Sequence, residues 1–267
     1  DKASAPGLTS RALAVQARTL EFYRQLGIAD DLIEAGITAP ELILRRNGKI
    51  AARAKFGAIG KNMSPFAYLL FCSQDVHEAL LCKVLKKMGV EVERQTELVE
   101  FKQDNRSVTA KLKSPSGEET VTVDYIVGCD GAHSVVRHKM PAEFPGGAYS
   151  QIFYVADVIA TGEAVEKYVQ VSVSQKDFCI IMPINSQGSI RLTGIVPPDK
   201  EQNSVIEFAD VQDSVLRNTG LKVEKVNWFS TYHVHHRIAE KFQQGRVFIA
   251  GDAGHIHSPA GGQGMNT

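Results

Sequence analysis

Cysteine and tryptophan are scarce in this sequence, and their scarcity limits what the protein can be. The chain of 267 residues holds one tryptophan and 4 cysteines, and no two cysteines form a C-x-x-C pair. A disulfide scaffold or a metal site built on such pairs is therefore disfavoured. Each cysteine lies in an apolar stretch, which is typical of reduced, buried thiols in a cytoplasmic protein. The four are Cys72, Cys82, Cys129 and Cys179.

An excess of charge and a long apolar run are also missing. The 30 Lys and Arg balance the 30 Asp and Glu, with no long block of like charge. Neither a nucleic acid nor an anionic membrane surface is therefore expected as the main partner. No segment reaches the ~18 uninterrupted apolar residues of a membrane span, which argues against integral membrane association. The hydrophobic fraction of 43% is normal for a globular protein with a real core.

The first third of the chain alternates between helical and extended patterns. Apolar residues at helical spacing predict helices, and Asn47-Gly48 between two alternating segments is a strong hairpin signal. The predicted elements are a helix from Thr9 or Ser10 to a stop at Gly27, a short helix over 30–35, hairpin strands over 42–46 and 49–56, an extended piece over 66–72 that joins them, and a helix over 74–88. The last helix is expected to bury Val76, Leu80, Leu81, Val84, Leu85 and Met88 on one face.

The rest of the chain is rich in predicted strands. The short apolar segment 125–129 and the similar segment 246–250 are typical of parallel strands covered on both faces. Between them, 151–195 alternates in polarity, which favours a mostly antiparallel sheet. Further strands are expected over 90–94, 98–103, 108–113, 120–123 and 223–233, and a helix over 204–217.

The segment Gly245–Thr267 contains the most informative pattern. A buried strand ends at Gly251-Asp252, a loop broken by Pro259 follows, and the glycine-rich turn Gly261–Gly264 opens a helix. Asp252 can accept hydrogen bonds from polyol hydroxyls, and glycines let a flat ring approach the backbone. Free N–H groups near Met265 and Asn266 would favour an anion at the helix start. These properties suit a flavin, whose reduced ring is negative around N1; a purely structural turn is the alternative.

A second segment has a related pattern. A short apolar strand ends at Asp130-Gly131, and a helix begins with Ser134 as a plausible cap, followed by Arg137. On its own this pattern is weak, because many α/β crossovers share it. Its value lies in its combination with the first segment.

Together the two segments resemble a known family. They match the motifs D-G-x-x-S-x-V-R and G-D-A-x-H-x-x-x-P-x-x-G-Q-G-x-N of the class A flavoprotein monooxygenases, the single-component aromatic hydroxylases typified by para-hydroxybenzoate hydroxylase and phenol hydroxylase. The spelling of 255–267 looks most like the phenol and polyketide hydroxylase branch. The resemblance implies bound FAD, NADH or NADPH as a transient hydride donor, and hydroxylation of a phenolic or polyketide-like substrate by O2.

The resemblance also implies roles for particular residues. Asp1 corresponds to the acid that holds the adenosine ribose, Arg11 to an arginine that reaches the flavin, and Gln74 to a glutamine that contacts the cofactor. No catalytic side chain is expected, because the cofactor carries the chemistry, and no metal ligand is expected. The predicted cofactor-binding residues are Asp1, Arg11, Gln74, Asp130, Asp252, Pro259, Gly262, Gly264, Met265 and Asn266.

The predicted fold class is α/β: a dinucleotide-binding fold with a mostly parallel sheet and a second, β-rich substrate domain. The first domain is assigned to 1–38, 75–145 and 244–267, and the second to 39–74 and 146–243. The G-x-G-x-x-G loop of the family is missing, and the chain begins without Met. We therefore expect a piece of a longer protein, incomplete at both ends. A small aromatic substrate is the expected partner, with a homodimer as a candidate assembly.

Several alternatives remain open from sequence. One is a flavin reductase or dehydrogenase of the same superfamily with a non-aromatic substrate, and another is a truncated copy without activity. Tyr232 and Phe229 are candidates for an aromatic pocket, with core packing as the alternative. The histidine pairs around 233–236 and 255–257 have spacing that permits a metal site, but no acid or cysteine completes the set. The W-x-W-x-I-P element of flavin-dependent halogenases is absent from this sequence.

Overall fold

The computed structural model describes residues 1–7, 12–59, 61–162, 165, 168–174, 178–185, 188–258 and 262–267. Its helices are α1 Ala17–Gln25, α2 Ala29–Ala35, α3 Phe56–Ile59, α4 Gln74–Lys87, α5 Val135–Lys139 and α6 Phe208–Thr219. Its strands are β1 Ala14–Val15, β2 Ile37–Ala39, β3 Glu41–Arg46, β4 Lys49–Lys55, β5 Leu69–Phe71, β6 Glu97–Gln103, β7 Val108–Ser114, β8 Gly117–Val123, β9 Ile126–Gly128, β10 Gly146–Thr161, β11 Val169–Val173, β12 Phe178–Pro183, β13 Ser189–Ile195, β14 Lys222–Ile238, β15 Gln243–Gln244, β16 Val247–Ile249 and β17 His255–Ile256.

An eight-stranded sheet dominates the fold. Its strand order is β17-β14-β10-β13-β12-β11-β3-β4, and three smaller sheets have the orders β1-β5-β2, β15-β16-β9 and β6-β7-β8. Within the described part of the chain, β3 pairs with β11 and β9 with β16 in parallel, while the other pairs are antiparallel. The predicted α/β fold class is confirmed.

The two faces of the large sheet differ in how they are covered. On β10, Tyr154, Ala156 and Val158 are fully buried and pack with residues of α6 such as Val211. Helix α6 is well defined at both ends, by a reciprocal capping box at its start and by left-handed Gly220 at its end. Because side chains alternate along a strand, the intervening residues of β10 lie on the opposite face, where they are only half-buried.

The β3–β4 hairpin agrees with the prediction from Asn47-Gly48. Both residues have positive φ, 51° and 77°, as a type I′ turn requires. Strand β3 then pairs in parallel with β11, so the hairpin forms one edge of the large sheet.

Three predictions in the first hundred residues were wrong. Helix α1 begins at Ala17, because 14–15 pair with β5 as a strand and interrupt the predicted helix; its predicted caps, Thr9 and Ser10, lie outside the described residues. The piece around β5 does not join the hairpin but lies between β1 and β2. Residues 90–94 form no strand; Glu93 and Gln95 instead bond to the backbone of residues 1–3.

The buried face of α4 also differs from the prediction. Val76, Leu85 and Met88 are 40%, 36% and 73% exposed, whereas His77 is 3% exposed. The helix packs against α1 and α2 through His77 and half-buried Leu80. Helical periodicity predicted an apolar face on α4, but the positions of the neighbouring helices determine which residues of that face are buried.

The cysteines follow the predicted pattern only in part. Cys72 and Cys179 are buried and Cys82 is half-buried, but Cys129 is exposed at the end of β9. Burial raises the pKa of the Cys72 thiol to about 11, which keeps it protonated and unreactive. Among the described residues, no helix combines the length and apolarity that crossing a membrane would require.

Candidate functional site

The candidate site lies where two neighbouring parallel strands end. In the β9–β16 pair, Gly128 lies opposite Ile249, and the Ala250 N–H donates to the Gly128 carbonyl at 3.0 Å. Asp130 and Asp252 follow these strand ends directly, and both are exposed. The carboxyl edge of parallel strands is where α/β sheets bind their ligands. The structure therefore brings the two predicted acids to one edge.

Asp130 caps the helix that follows it. Its Oδ2 accepts hydrogen bonds from the backbone N–H groups of Val135 and Val136 at 2.7 and 3.2 Å. Ser134 adds a further cap, because its Oγ accepts from the Arg137 N–H at 2.9 Å. One carboxylate oxygen of Asp130 is thus engaged at the start of α5, a structural role that the sequence analysis did not foresee.

Arg137 connects the two motif loops. Its guanidinium donates from Nη1 to the Ala253 carbonyl at 2.9 Å and from Nη2 to the Ala132 carbonyl at 2.7 Å. The group lies 3.9 Å from the ring centroid of Phe144 and is 4% exposed. Burial lowers the pKa of Arg137, although an arginine remains charged at neutral pH. The motif spelling included this arginine, but only the fold revealed what it binds.

The Gly-Asp segment links this edge to the large sheet. Asp252 lies in a 3-10 turn, Gly251–Ala253, that begins with a glycine at φ 58°. The following strand β17 pairs with β14, opposite Arg237 and Ile238. The rings of His255 and His257 stack at 5.5 Å, so the two histidines shape this segment.

Asn266 holds the final turn against the start of α1. Its Oδ1 accepts from the Gln16 N–H at 2.8 Å and from the Thr19 hydroxyl at 2.7 Å. Its Nδ2 donates to the carbonyls of Ala14 at 2.9 Å and Gly262 at 2.8 Å. An amide has two acceptor and two donor positions, and Asn266 uses all four. The side chain thus joins segments 250 residues apart in sequence.

The other predicted residues of this turn pack close to it. Gly262 has φ 63°, and a Cβ there would lie 3.1 Å from the Ala14 Cβ. A larger residue is therefore disfavoured both by the backbone conformation and by steric crowding. A Cβ on Gly264 would meet His257 at 3.9 Å. Met265 packs against the apolar cluster that contains Leu20. Residues 264–266 form a turn where the sequence predicted the opening of a helix.

Gln74 anchors the start of α4 near the same place. Its Oε1 accepts from the Ala12 N–H at 3.3 Å, and its own N–H donates to the Ala12 carbonyl at 3.2 Å. Its Nε2 donates to Glu78 Oε1 at 2.7 Å. The predicted residues Arg11 and Pro259 lie outside the described residues.

Asp1 is engaged with a different segment. Its Oδ2 lies 2.7 Å from Nη1 of Arg94, and its Oδ1 accepts from the Ala3 N–H at 2.9 Å. The amino group of Asp1 donates to the Glu93 carbonyl at 2.8 Å. The predicted residues in the described part of the chain therefore form three groups. Asp130 and Asp252 lie at one sheet edge, Gln74 and the turn at 262–266 lie near the β1–α1 region, and Asp1 pairs with Arg94. The predicted site residues did not include Gln16, Thr19 or Arg137, whose hydrogen bonds hold the loops of the site.

The half-buried face of the large sheet carries a row of aromatic rings. Phe153 on β10 stacks against Tyr232 on β14 at 6.0 Å, and its centroid lies 6.1 Å from that of Phe178 on β12. Burial raises the pKa of Tyr232 to about 12, so its phenol remains a neutral hydrogen-bond donor. Phe229 points to the other face and packs with Tyr154 and Phe208. Of the two aromatic candidates, Phe229 is a core residue.

Comparison with known proteins gives one family. The profile described as FAD binding domain matches residues 1–267. The chain is 31% identical over 271 residues to 6-methylpretetramide 4-monooxygenase from Streptomyces rimosus, an alignment that covers 100% of this chain and 48% of that protein. The chain spans about half the length of the curated relatives it matches.

Solved structures show the same fold. The p-nitrophenol 4-monooxygenase of Pseudomonas putida superposes with a TM-score of 0.87 at 24% identity, over 99% of this chain and 68% of that one. A ternary complex of aklavinone-11 hydroxylase with FAD and aklavinone gives a TM-score of 0.83 at 23% identity, over 100% of this chain and 54% of that one. At these identities, the two structures are evidence for the fold alone.

Proposed function

The chain belongs to the FAD-binding domain family, and from that premise we propose that the protein is an FAD-dependent monooxygenase that hydroxylates an aromatic substrate. The substrate is phenolic or polyketide-like, and NADH or NADPH serves as a transient hydride donor with O2 as the second substrate. The main structural support is that the loops with Asp130 and Asp252 lie side by side, because β9 and β16 are neighbouring parallel strands. The curated relative from Streptomyces rimosus, named as a monooxygenase, supports this assignment.

The described residues suit FAD in their chemistry. The exposed Asp252 carboxylate is an acceptor for polyol hydroxyls, and Gly264 leaves room beside the backbone of the final turn, because among the described residues only His257 lies within 4 Å of an added Cβ there. Gly262 instead lets the turn approach Ala14 closely. Gln74, Asp252, Gly262, Gly264 and Met265 would hold the ring and ribityl side. Asp1 would hold the adenosine side, and Arg11 would reach the flavin ring. When bound, FAD would supply hydride acceptance and the activation of O2.

The chain contributes position rather than a catalytic acid or base. Asn266 fixes the final turn to the start of α1, and Arg137 fixes the Asp130 loop to the Asp252 loop. Rigid placement of this kind is what a cofactor site requires from its protein, because small displacements reduce the rate strongly.

The aromatic substrate would lie on the half-buried face of the large sheet. Phe153, Phe178 and Tyr232 offer stacking surfaces there, and the Tyr232 hydroxyl offers a donor. Strand β14, which carries Tyr232, also pairs with β17 of the Gly-Asp segment. The proposed substrate surface and cofactor site are therefore connected through one strand.

The experiment that tests this proposal uses the full-length protein. We expect it to bind FAD in a titration, to oxidise NADH or NADPH faster when phenols are added, and to yield a product heavier by one oxygen in mass spectrometry. Acceleration without oxygen incorporation would contradict hydroxylation. Nicotinamide oxidation that no phenol accelerates would favour the reductase or dehydrogenase, and a protein that binds no FAD would favour the inactive copy.

A further inference from the structure

A buried ion pair lies on the same sheet face as the aromatic rings. Asp157 on β10 and Arg191 on β13 are direct cross-strand partners. Arg191 donates from Nε to Oδ1 at 2.7 Å and from Nη2 to Oδ2 at 2.8 Å, so the pair is bidentate. The Arg191 side chain is 3% exposed, whereas that of Asp157 is 20% exposed. The aspartate is therefore the member of the pair that an incoming molecule can reach.

The position of the pair relates it to the proposed substrate surface. Asp157 and Phe153 are four residues apart on β10 and share one face, so about 13 Å of strand separates them at ~3.3 Å per residue. Trp228 lies opposite Asp157 on β14, with its ring centroid 5.8 Å from the guanidinium carbon of Arg191.

The pair determines what charge this face tolerates. Both oxygens of Asp157 are engaged with Arg191, so the positive charge of the arginine is neutralised. A substrate carboxylate on this face would meet the Asp157 carboxylate and find no uncompensated cation in the pair. Burying it there would be costly, because a desolvated charge needs a partner. A hydroxyl group, in contrast, can donate to the remaining lone pairs of Asp157.

We propose that Asp157 is a specificity-determining residue that makes this face select uncharged, hydroxyl-bearing ring systems and reject ring carboxylates. The ring system extends from the Phe153–Tyr232 stack towards the ion pair, so that its distal hydroxyl donates to Asp157. This inference rests on the proposed function for turnover, but the charge selection itself is a property of binding and is measurable without turnover.

The test compares a matched pair of probes in the full-length, FAD-loaded protein. The probes are a linear tetracyclic phenol, which is long enough to reach from the Phe153–Tyr232 stack to Asp157, and its analogue with one added ring carboxylate, and the Kd of each is measured by isothermal titration calorimetry. The wild-type protein should bind the uncharged phenol more tightly. Asp157→Asn removes the carboxylate that faces the sheet surface beside Arg191 and should shift the ratio of the two Kd values towards the carboxylate probe by about tenfold.

Two further variants keep the test decisive. The double variant D157N/R191Q removes both charges and should return the ratio towards the wild-type value. Arg191→Gln alone leaves the aspartate unpaired and should strengthen the rejection of the carboxylate. Opposite shifts from D157N and R191Q separate charge selection from a general loss of folding, which would weaken both probes alike.

An unchanged ratio in D157N and R191Q would overturn the inference and reduce the pair to a cross-strand structural contact. Failure of the proposed function is a different result. A protein with the expected charge preference that incorporates no oxygen into any phenol would lose the monooxygenase assignment and retain the selective face. A hydroxylase that turns over both probes without preference would keep the assignment and lose the role of Asp157.

Discussion

At the scale of single residues, side-chain amides and charged groups fasten loops that are distant in sequence. Asn266 is the best example, because all four of its hydrogen bonds go to the β1–α1 region or to its own turn. Arg137 does the same for the Asp130 and Asp252 loops. Both side chains stabilise the candidate site by holding its loops in fixed relative positions.

Asn266→Ala should therefore weaken both stability and FAD binding. Each of the four lost bonds contributes about 1 kcal/mol, so we expect a loss of about 4 kcal/mol in the free energy of unfolding, measured by urea denaturation. The control is Asn203→Ala, which removes an exposed side-chain bond to Asp210. It should cost well under about 1 kcal/mol, since exposed bonds compete with water. Equal effects of the two variants would contradict the structural role of Asn266.

His77 gives a prediction about pH. It is 3% exposed, its Nε2 lies 2.8 Å from the Tyr23 hydroxyl, and burial lowers its pKa from the usual 6.5. The neighbouring Glu78 acts in the opposite direction but is the smaller influence. Below about pH 6.5 the unfolded chain binds more protons at this site than the folded chain, so the contribution of His77 to stability falls as the pH falls.

The measurement is the free energy of unfolding between about pH 7 and pH 5, where a histidine would normally titrate. His77→Gln should flatten the decline relative to the wild type, because the group no longer titrates. His133→Gln, at an exposed histidine, is measured in parallel as the comparison variant. A slope that His77→Gln does not alter would rule out this histidine as its source.

At the scale of elements, local backbone chemistry explains the parts of the fold that were predicted well. The β3–β4 turn requires positive φ at both central residues, and Asn47-Gly48 supplies it. The end of α1 likewise coincides with left-handed Gly27, and the end of α6 with left-handed Gly220. Elements whose bounds depend on partners, such as the start of α1, were placed wrongly.

Gly48→Ala tests the turn. Gly48 has φ 77°, and an added Cβ would lie 3.2 Å from the Arg217 carbonyl oxygen, so we expect a loss of about 1–2 kcal/mol in unfolding free energy. The matched control is Gly57→Ala in α3, where nothing lies within 4 Å of the added Cβ and φ is not positive. That variant should be nearly neutral in the same denaturation experiment. A neutral Gly48→Ala would mean that the turn is not constrained as described.

At the scale of the whole molecule, the candidate cofactor site is assembled from distant segments. The turn at 262–266, the start of α1 and the start of α4 are held together by side-chain hydrogen bonds. We retain as a proposal the division into a cofactor domain (1–38, 75–145 and 244–267) and a substrate domain (39–74 and 146–243). Strand β17 then joins the two through its pairing with β14.

Because the site draws on several segments, FAD should stabilise the full-length protein as a unit. At a free FAD concentration of about 100 Kd, mass action adds about 2.7 kcal/mol to the free energy of unfolding. Thermal unfolding with and without FAD measures this gain. Asp252→Ala should reduce the gain at a given FAD concentration, whereas Asp199→Ala, at an exposed acid elsewhere, should not. A gain insensitive to Asp252 would remove that residue from the proposed site.

Local sequence patterns account for the family resemblance, the fold class, the hairpin and most strand positions, because glycine conformations, alternation of polarity and motif residues are local properties. The partners of individual side chains follow only from the folded chain. The bond between Asn266 and Gln16 and the pairing of Asp157 with Arg191 depend on strand register and helix packing across long sequence separations. The burial of His77 depends on which neighbours cover α4. Local sequence patterns do not specify these partners, because cross-strand register and helix contacts arise only when the chain is folded.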